Sequence, residues 1–169
     1  MRHNDGPKLL MPRPLSAEPF AAYGDLFETP AEPVIRAVAT RLDNRRLGAR
    51  PVLLMARVVA SALPFEATAM ERHPHSSQTF VPIEVASYLV LVAPSTAEGG
   101  PDMARAVAFL ANGEQGINYH AGTWHHPITA FEGGGTFAVL MWRDGGTEDV
   151  ERLTPPVPVT VAKPPAGRS

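Results

Sequence analysis

The chain has 169 residues, 44% of them hydrophobic, with 15 basic residues, 17 acidic residues and no cysteine. This length supports one well-buried core, so we predict a single catalytic domain over residues 1–169, with residues 1–12 and 160–169 as flexible or extended arms. The near-balanced charge excludes an electrostatic footprint for nucleic acid or for a membrane surface. Disulfide-stapled scaffolds are excluded as well, and without an apolar run long enough for a signal peptide or a membrane span we expect a cytoplasmic protein.

The first predicted element is a short helix over residues 17–23. Ser16 can cap its first turn, and Gly24 stands where helices commonly end. After it come short runs rich in β-branched residues, separated by turn chemistry such as the glycines at 133–135. These runs predict strands over residues 52–59, 65–70, 85–92, 106–110 and 136–142. Many short strands are typical of a sandwich or barrel, so we predict an all-β fold with few helices beyond the N-terminal one.

Five of the six histidines fall into two clusters, which are His73 and His75 in the first and His120, His125 and His126 in the second. Imidazole both binds transition metals and transfers protons near neutral pH. Residues two apart in a strand share a face, so His73 and His75 can converge on one ligand, with Glu71 on the same face. The clustering therefore predicts a split active site.

The two clusters resemble the metal-binding motifs of the cupin superfamily, in which a His-x-His segment with a later carboxylate joins a Pro-x-Gly-x-x-His segment. The second motif here reads His120-Ala121-Gly122-Thr123-Trp124-His125. In the first, Gln78 or Thr79 stands where cupins carry glutamate, and an amide is a weaker ligand for a divalent cation. The resemblance implies a cupin-like double-stranded β-helix, or jelly-roll barrel, with at most a loosely bound divalent metal such as nickel on His73, Gln78 and His125.

A closer resemblance is to the ureidoglycolate lyase family. It is carried, in order, by Leu63-Pro64-Phe65-Glu66, Glu71-Arg72-His73-Pro74, Ser77-Gln78-Thr79-Phe80-Val81-Pro82, the run from Asn112 to His120, and Thr123-Trp124-His125-His126-Pro127. Members of this family adopt a cupin-like barrel, form homodimers and split (S)-ureidoglycolate into glyoxylate and urea in allantoin degradation. The resemblance thus implies a lyase for a small molecule and a homodimer, and the charge balance predicts no nucleic-acid or membrane partner.

Cleavage of ureidoglycolate needs a base for the hydroxyl proton, an acid for the departing nitrogen and an anchor for the carboxylate. We predict that His73 and His125 face each other as the base and as the metal or carbonyl contact. Tyr119 or His120 is predicted to be the acid. The predicted substrate-binding residues are Arg72, which would anchor the carboxylate, together with Gln78, Trp124 and His126.

Several alternatives stay open at this stage. His75 is more simply a satisfied core residue than a ligand. Glu71 is either catalytic or paired with Arg72 or Arg57 at the rim of the barrel. The chain could also be a metal-dependent cupin isomerase or oxygenase, in which His75 completes a three-histidine site, or a non-catalytic cupin that binds a small carboxylate.

Overall fold

The computed structural model describes residues 8–39 and 41–165. Strands make up 51% and helices 6%, which confirms the predicted all-β, cupin-like fold. The strands are β1 (Lys8–Leu10), β2 (Arg13–Pro14), β3 (Gly24–Glu28), β4 (Arg50–Val58), β5 (Phe65–Ala67), β6 (Met70–Arg72), β7 (Gln78–Ala93), β8 (Val107–Asn112), β9 (Gln115–Tyr119), β10 (Trp124–His125), β11 (Thr129–Arg143), β12 (Glu151–Leu153) and β13 (Val159–Val161). The helical elements are α1 (Ala17–Phe20) and two 3-10 turns, Met103–Arg105 and Thr147–Asp149.

Helix α1 is shorter than the predicted segment, and the Ser16 side chain makes no capping hydrogen bond. The chain leaves the helix early because Gly24 already pairs with Tyr119 in the sheet. A side chain could not fit there, since a Cβ on Gly24 would lie 2.4 Å from the carbonyl oxygen of Asn118. The helix therefore serves mainly to bury Phe20, which is fully enclosed in the core.

Two long strands, β7 and β11, form the frame of the barrel and extend well beyond the predicted runs. They pair with each other in both of their halves, with shifts of register between Phe131 and Gly135 and between Thr136 and Phe137. Gly133 and Gly134 have φ angles of 104° and 84°, a backbone region that favours glycine. The glycines thus form a bulge that bends a continuous strand, rather than the turn that their sequence suggests.

The larger sheet has the order β12-β6-β10-β7-β11-β4, with β8 and β9 also paired to β7 and with β2 and β3 at their outer edges. A small sheet, β1-β13-β5, packs against it. The predicted strand over 65–70 is divided because β5 belongs to the small sheet and β6 to the larger one. Lys8–Leu10, in the first predicted arm, pairs in parallel with Val159–Val161, where the second predicted arm begins, while residues 1–7 and 166–169 lie outside the described residues.

The barrel core is aromatic, with Phe20, Tyr88, Phe109 and Phe137 completely buried. Tyr119 belongs to the same core and marks the end of the barrel at which β9 finishes. At this end the ring of Tyr119 stacks on that of His125 in β10, which pairs with β6 on one side and with β7 on the other. None of the helices in the described parts of the chain is long and apolar enough to cross a membrane.

Candidate active site

Strand β10 places His125 beside Glu71. Its backbone pairs with Glu71 of β6 on one side and with Val92 of β7 on the other. Residues directly opposite in an antiparallel pair share a face of the sheet, so the Glu71 and His125 side chains point to the same side. His125 Nε2 lies 3.7 Å from Glu71 Oε1, which is too far for a hydrogen bond.

His73 joins this pair from the segment just after β6. Its ring stacks on that of His125, with 5.8 Å between the centroids and 27° between the planes. One nitrogen each on His73 and His125 and one oxygen of Glu71 lie within 4.8 Å of one another. Two imidazoles and one carboxylate at this spacing are a ligand set for a divalent transition metal.

Main-chain carbonyls fix the orientation of both imidazoles. His73 Nδ1 lies 2.7 Å from the Asp149 carbonyl oxygen, and His125 Nδ1 lies 2.9 Å from that of Thr123. A carbonyl oxygen only accepts hydrogen bonds, so Nδ1 carries the proton in each neutral ring. Both buried Nε2 atoms therefore present a lone pair, and neither has a hydrogen-bond partner among the described residues. These lone pairs can bind a metal or accept a proton.

The charge states follow from the surroundings of the cluster. Burial lowers the pKa of His73, and the charges of His125 and Arg143 add to this, outweighing the Asp149 carbonyl and Glu71, which raise it. Burial raises the pKa of Glu71, yet His125, His73 and Arg152 together outweigh burial and leave that pKa below its usual value. Near neutral pH the cluster therefore combines an ionised carboxylate with a neutral His73.

Tyr119 and Gln78 lie on the wall next to the histidines. The Tyr119 ring stacks on the His125 ring with 4.1 Å between centroids. Gln78 pairs with Tyr119 across β7 and β9, so their side chains share a face. The buried amide oxygen of Gln78 has no hydrogen-bond partner in the described part of the chain, while its Nε2 lies 4.0 Å from Met141 Sδ. A polar acceptor thus remains available within an otherwise apolar wall.

The structure does not bring the other predicted site residues into the cluster. His120 lies 3.1 Å from Asp25 Oδ1, on the face of β9 that carries Asn118 rather than Tyr119. Arg72 faces away from Glu71, pairs with Glu151 and covers the ring of Trp124 at 4.6 Å. Trp124 is buried and donates Nε1–H to the Gly99 carbonyl. His126 packs edge-on against Phe65.

The prediction that His73 and His75 share one strand face is wrong. Pro74 and His75 form a turn, because proline lacks the N–H that a strand ladder needs. The half-exposed His75 side chain consequently lies near Glu148, at 3.8 Å. This removes the geometry that a three-histidine site with His75 required.

Glu71, for which the sequence left open a catalytic role or a rim pairing with Arg72 or Arg57, supplies the carboxylate of the cluster and pairs with Arg152 instead. Its opposition to His125 across the β6–β10 pair could not be deduced from spacing, because β10 contains only two residues. The group that sequence reasoning missed is Asp149. Its carboxylate accepts hydrogen bonds from the backbone N–H groups of Asp144 and Gly145, and it forms an ion pair with Arg46. This holds the turn whose carbonyl orients His73.

The barrel, with a histidine and glutamate cluster at one end, places the chain in the class of cupin-like proteins. A family model described as ureidoglycolate lyase matches residues 7–162. A ureidoglycolate lyase of Burkholderia mallei is 39% identical over 132 residues, covering 73% of this chain and 76% of the relative. A putative ureidoglycolate lyase of Agrobacterium fabrum is 33% identical over 154 residues, covering 91% and 95%. One of Escherichia coli is 32% identical over 148 residues, covering 83% and 91%. The chain belongs to the ureidoglycolate lyase family.

Proposed function

We propose that this protein cleaves (S)-ureidoglycolate to glyoxylate and urea as a carbon–nitrogen lyase of allantoin and purine degradation, in the cytoplasm. The observation that carries the proposal is the pair of free, buried Nε2 atoms on His73 and His125 beside the Glu71 carboxylate. Two proton acceptors at one site suit an elimination that requires proton transfer from the hydroxyl and to the departing nitrogen. The names of the relatives supply the substrate.

The reaction is an elimination at the carbon that bears a hydroxyl, a carboxylate and a ureido nitrogen. A base takes the hydroxyl proton, and the O–H electron pair becomes the second bond of the glyoxylate carbonyl. The carbon–nitrogen bond breaks with its electrons on nitrogen, which takes up a proton to complete urea. All atoms of the substrate appear in the two products, so no water is consumed.

His73 is suited to the role of base. Its ring is neutral near neutral pH because burial lowers its pKa, and its Nε2 lone pair is free while Nδ1 is held by the Asp149 carbonyl. His125 has the same tautomer and lies beside it, so it can contact the developing carbonyl or exchange roles with His73.

Tyr119 is the better candidate for the acid. Burial raises the pKa of its phenol well above the usual value, so the hydroxyl gives up its proton only to a stronger base, such as the urea nitrogen that departs with the electron pair. The ring also lies against His125. His120, the other candidate, faces Asp25 on the opposite side of β9. We further propose that the amide oxygen of Gln78 accepts a hydrogen bond from a ureido N–H.

The same cluster fits a divalent metal such as nickel. Glu71, His73 and His125 would hold it, since their donor atoms converge and both Nε2 lone pairs are free. A bound cation would polarise the hydroxyl or carboxylate oxygen of the substrate as a Lewis acid. Metal binding and proton acceptance are alternative uses of the same Nε2 atoms. Chelation followed by metal add-back separates the two.

We also propose a homodimer, formed through the outer face of β4, β11 and β7. Large apolar side chains stand on this face without cover in the described chain: Leu53 is 71% exposed, Met55 66% and Ile83 59%. Exposed apolar groups that lie together on a sheet commonly mark an interface. Light scattering on the wild type and on Met55→Glu tests this. A dimer that the substitution dissociates supports it, and a monomeric wild type contradicts it.

The products decide the main proposal. Purified protein incubated with racemic ureidoglycolate should release glyoxylate and urea in equal amounts from one enantiomer. Release of ammonia in place of urea would indicate amidohydrolase chemistry instead. A rate of glyoxylate release no higher than the spontaneous rate would contradict the proposal.

A second candidate is a metal-dependent cupin of other specificity, such as an isomerase or oxygenase. It is favoured by the two-histidine, one-carboxylate composition of the cluster, which is common in non-haem iron enzymes. Stoichiometric iron or manganese in the purified protein, together with no turnover of ureidoglycolate, would support it. Affinity for glyoxylate with neither metal nor turnover would instead indicate a carboxylate-binding protein.

A further inference from the structure

The last residue pair between β4 and β11 consists of two arginines. Arg50 and Arg143 lie directly opposite each other in the antiparallel register. Alternate pairs along these strands share a face, and the preceding pairs on this face are Val52 with Met141 and Leu54 with Val139. Val139 and Met141 are buried in the interior. The arginine pair therefore continues the inner wall of the barrel outward to its mouth.

No anion neutralises this pair within residues 8–39 and 41–165. Neither guanidinium makes an ion pair or a side-chain hydrogen bond there, and both residues are exposed. Like charges directly opposite each other on a sheet are destabilising. By contrast, Arg46, Arg72 and Arg152 each hold a carboxylate. Two unneutralised charges at one mouth form a site for an anion.

The pair lies at the same end of the barrel as the histidine cluster. Met141, two residues before Arg143, contacts the amide of Gln78 at 4.0 Å. The charge of Arg143 is also close enough to His73 to contribute to the lowering of its pKa. An anion held by the arginines would thus lie next to both the cluster and the free amide oxygen.

We propose that Arg50 and Arg143 bind the carboxylate of the substrate, and this assignment rests on the proposed function. Guanidinium groups bind carboxylates through paired hydrogen bonds. Arg72 cannot take this role while it faces Glu151 and Trp124. The three polar groups of ureidoglycolate then each meet a complementary group: its carboxylate the arginines, its ureido N–H the oxygen of Gln78, and its hydroxyl the histidines.

Kinetics of Arg50→Gln and Arg143→Gln test the assignment. Each substitution should raise KM by roughly tenfold to a hundredfold while kcat changes by less than about threefold, because a charge-assisted contact to substrate is lost and the reacting groups stay in place. Arg143→Lys should recover part of the loss. Arg105→Gln, which removes an exposed arginine paired with Asp102 on a 3-10 turn, is the matched control and should leave KM unchanged.

The Tm of each arginine variant distinguishes a binding role from a structural role, because the two roles predict changes of Tm in different directions. Removing one of two repelling charges should leave Tm unchanged or raise it, whereas loss of a structural contact would lower it. An active wild type whose KM is unaffected by either substitution would overturn the arginine site, as would a KM effect accompanied by a fall in Tm.

Calorimetric titration with glyoxylate separates this proposal from the proposed function, because it needs no turnover. Wild-type binding that is lost in the Arg50→Gln/Arg143→Gln double variant supports the arginine site even if ureidoglycolate is not cleaved. Equal binding by both proteins, or no binding by the wild type, overturns it.

Discussion

The phenol ring of Tyr119 lies nearly parallel to the imidazole of His125, with 4.1 Å between their centroids and 13° between their planes. Tyr119 comes from the end of β9 and His125 from β10. The ring of His73 stacks on that of His125. Three potential proton carriers from separate segments thus form one continuous row of rings. The three rings come into contact because the closed barrel brings these segments together.

Tyr119→Phe should keep this stack and remove only the proposed proton donor. We expect kcat to fall roughly a hundredfold or more, with little change in the free energy of unfolding. Tyr88→Phe is the matched control, because the Tyr88 hydroxyl donates to the Gln115 carbonyl in the core. It should lower the free energy of unfolding by about 1 kcal/mol and leave kcat unchanged. Equal kcat values for Tyr119→Phe and the wild type would contradict the assignment.

Acid should destabilise the protein in the range where free histidine takes up a proton. Burial, as the largest cause, lowers the pKa of both His73 and His126 in the folded protein. Below about pH 6.5 the unfolded chain therefore binds more protons than the folded one, so the free energy of unfolding falls as pH falls. Urea titrations at pH 7.5 and 5.5 measure this. His126→Gln should reduce the difference, and higher stability at pH 5.5 would contradict the prediction.

Asp149→Ala should weaken both the fold and catalysis. Its carboxylate holds the Asp144 and Gly145 amides and Arg46, so we expect a loss of about 2–4 kcal/mol in the free energy of unfolding. A fall in kcat should accompany it, because the Asp149 carbonyl orients His73. Glu148→Ala, whose side chain is 74% exposed, serves as the control. Destabilisation without any change in kcat would show that this turn does not position His73.

Glu71→Gln should weaken metal binding at the cluster. It replaces an ionised ligand with a neutral amide, so we expect roughly a tenfold to hundredfold rise in the Kd for nickel. Titration calorimetry on chelator-treated protein measures this affinity without reference to turnover. Arg152→Gln removes the charge that pairs with Glu71 from outside and should have a smaller effect. Unchanged nickel affinity in Glu71→Gln would exclude this cluster as the metal site.

The sequence predicted the elements whose signal is local. Runs of β-branched residues marked the strands, and the order of the Glu-Arg-His-Pro and Trp-His-His-Pro elements marked the family. The full length of β11 was not predictable, because the glycines at 133–135 have the composition of a turn. Only pairing with β7 on both sides of these glycines makes them a bulge.

The candidate site likewise combines residues that local motifs predict with residues that only long-range strand pairing brings together. His73, His125, Tyr119 and Gln78 were all proposed from motifs, and the barrel brings them to one end. The position of Glu71 depends instead on a cross-strand pair between two very short strands. Similarly, the alignment of Arg50 with Arg143 arises from the register of two neighbouring strands that lie far apart in the sequence. Such long-range pairings leave no periodic trace in the sequence.

The most direct test of the account is turnover of (S)-ureidoglycolate by the single variants His73→Gln and His125→Gln beside the wild type and a His75→Gln control. We predict that glyoxylate release falls by roughly a hundredfold or more in both cluster variants, that His75→Gln matches the wild type, and that all four proteins remain folded. Wild-type rates in either His73→Gln or His125→Gln would contradict the claim that this cluster carries the reaction.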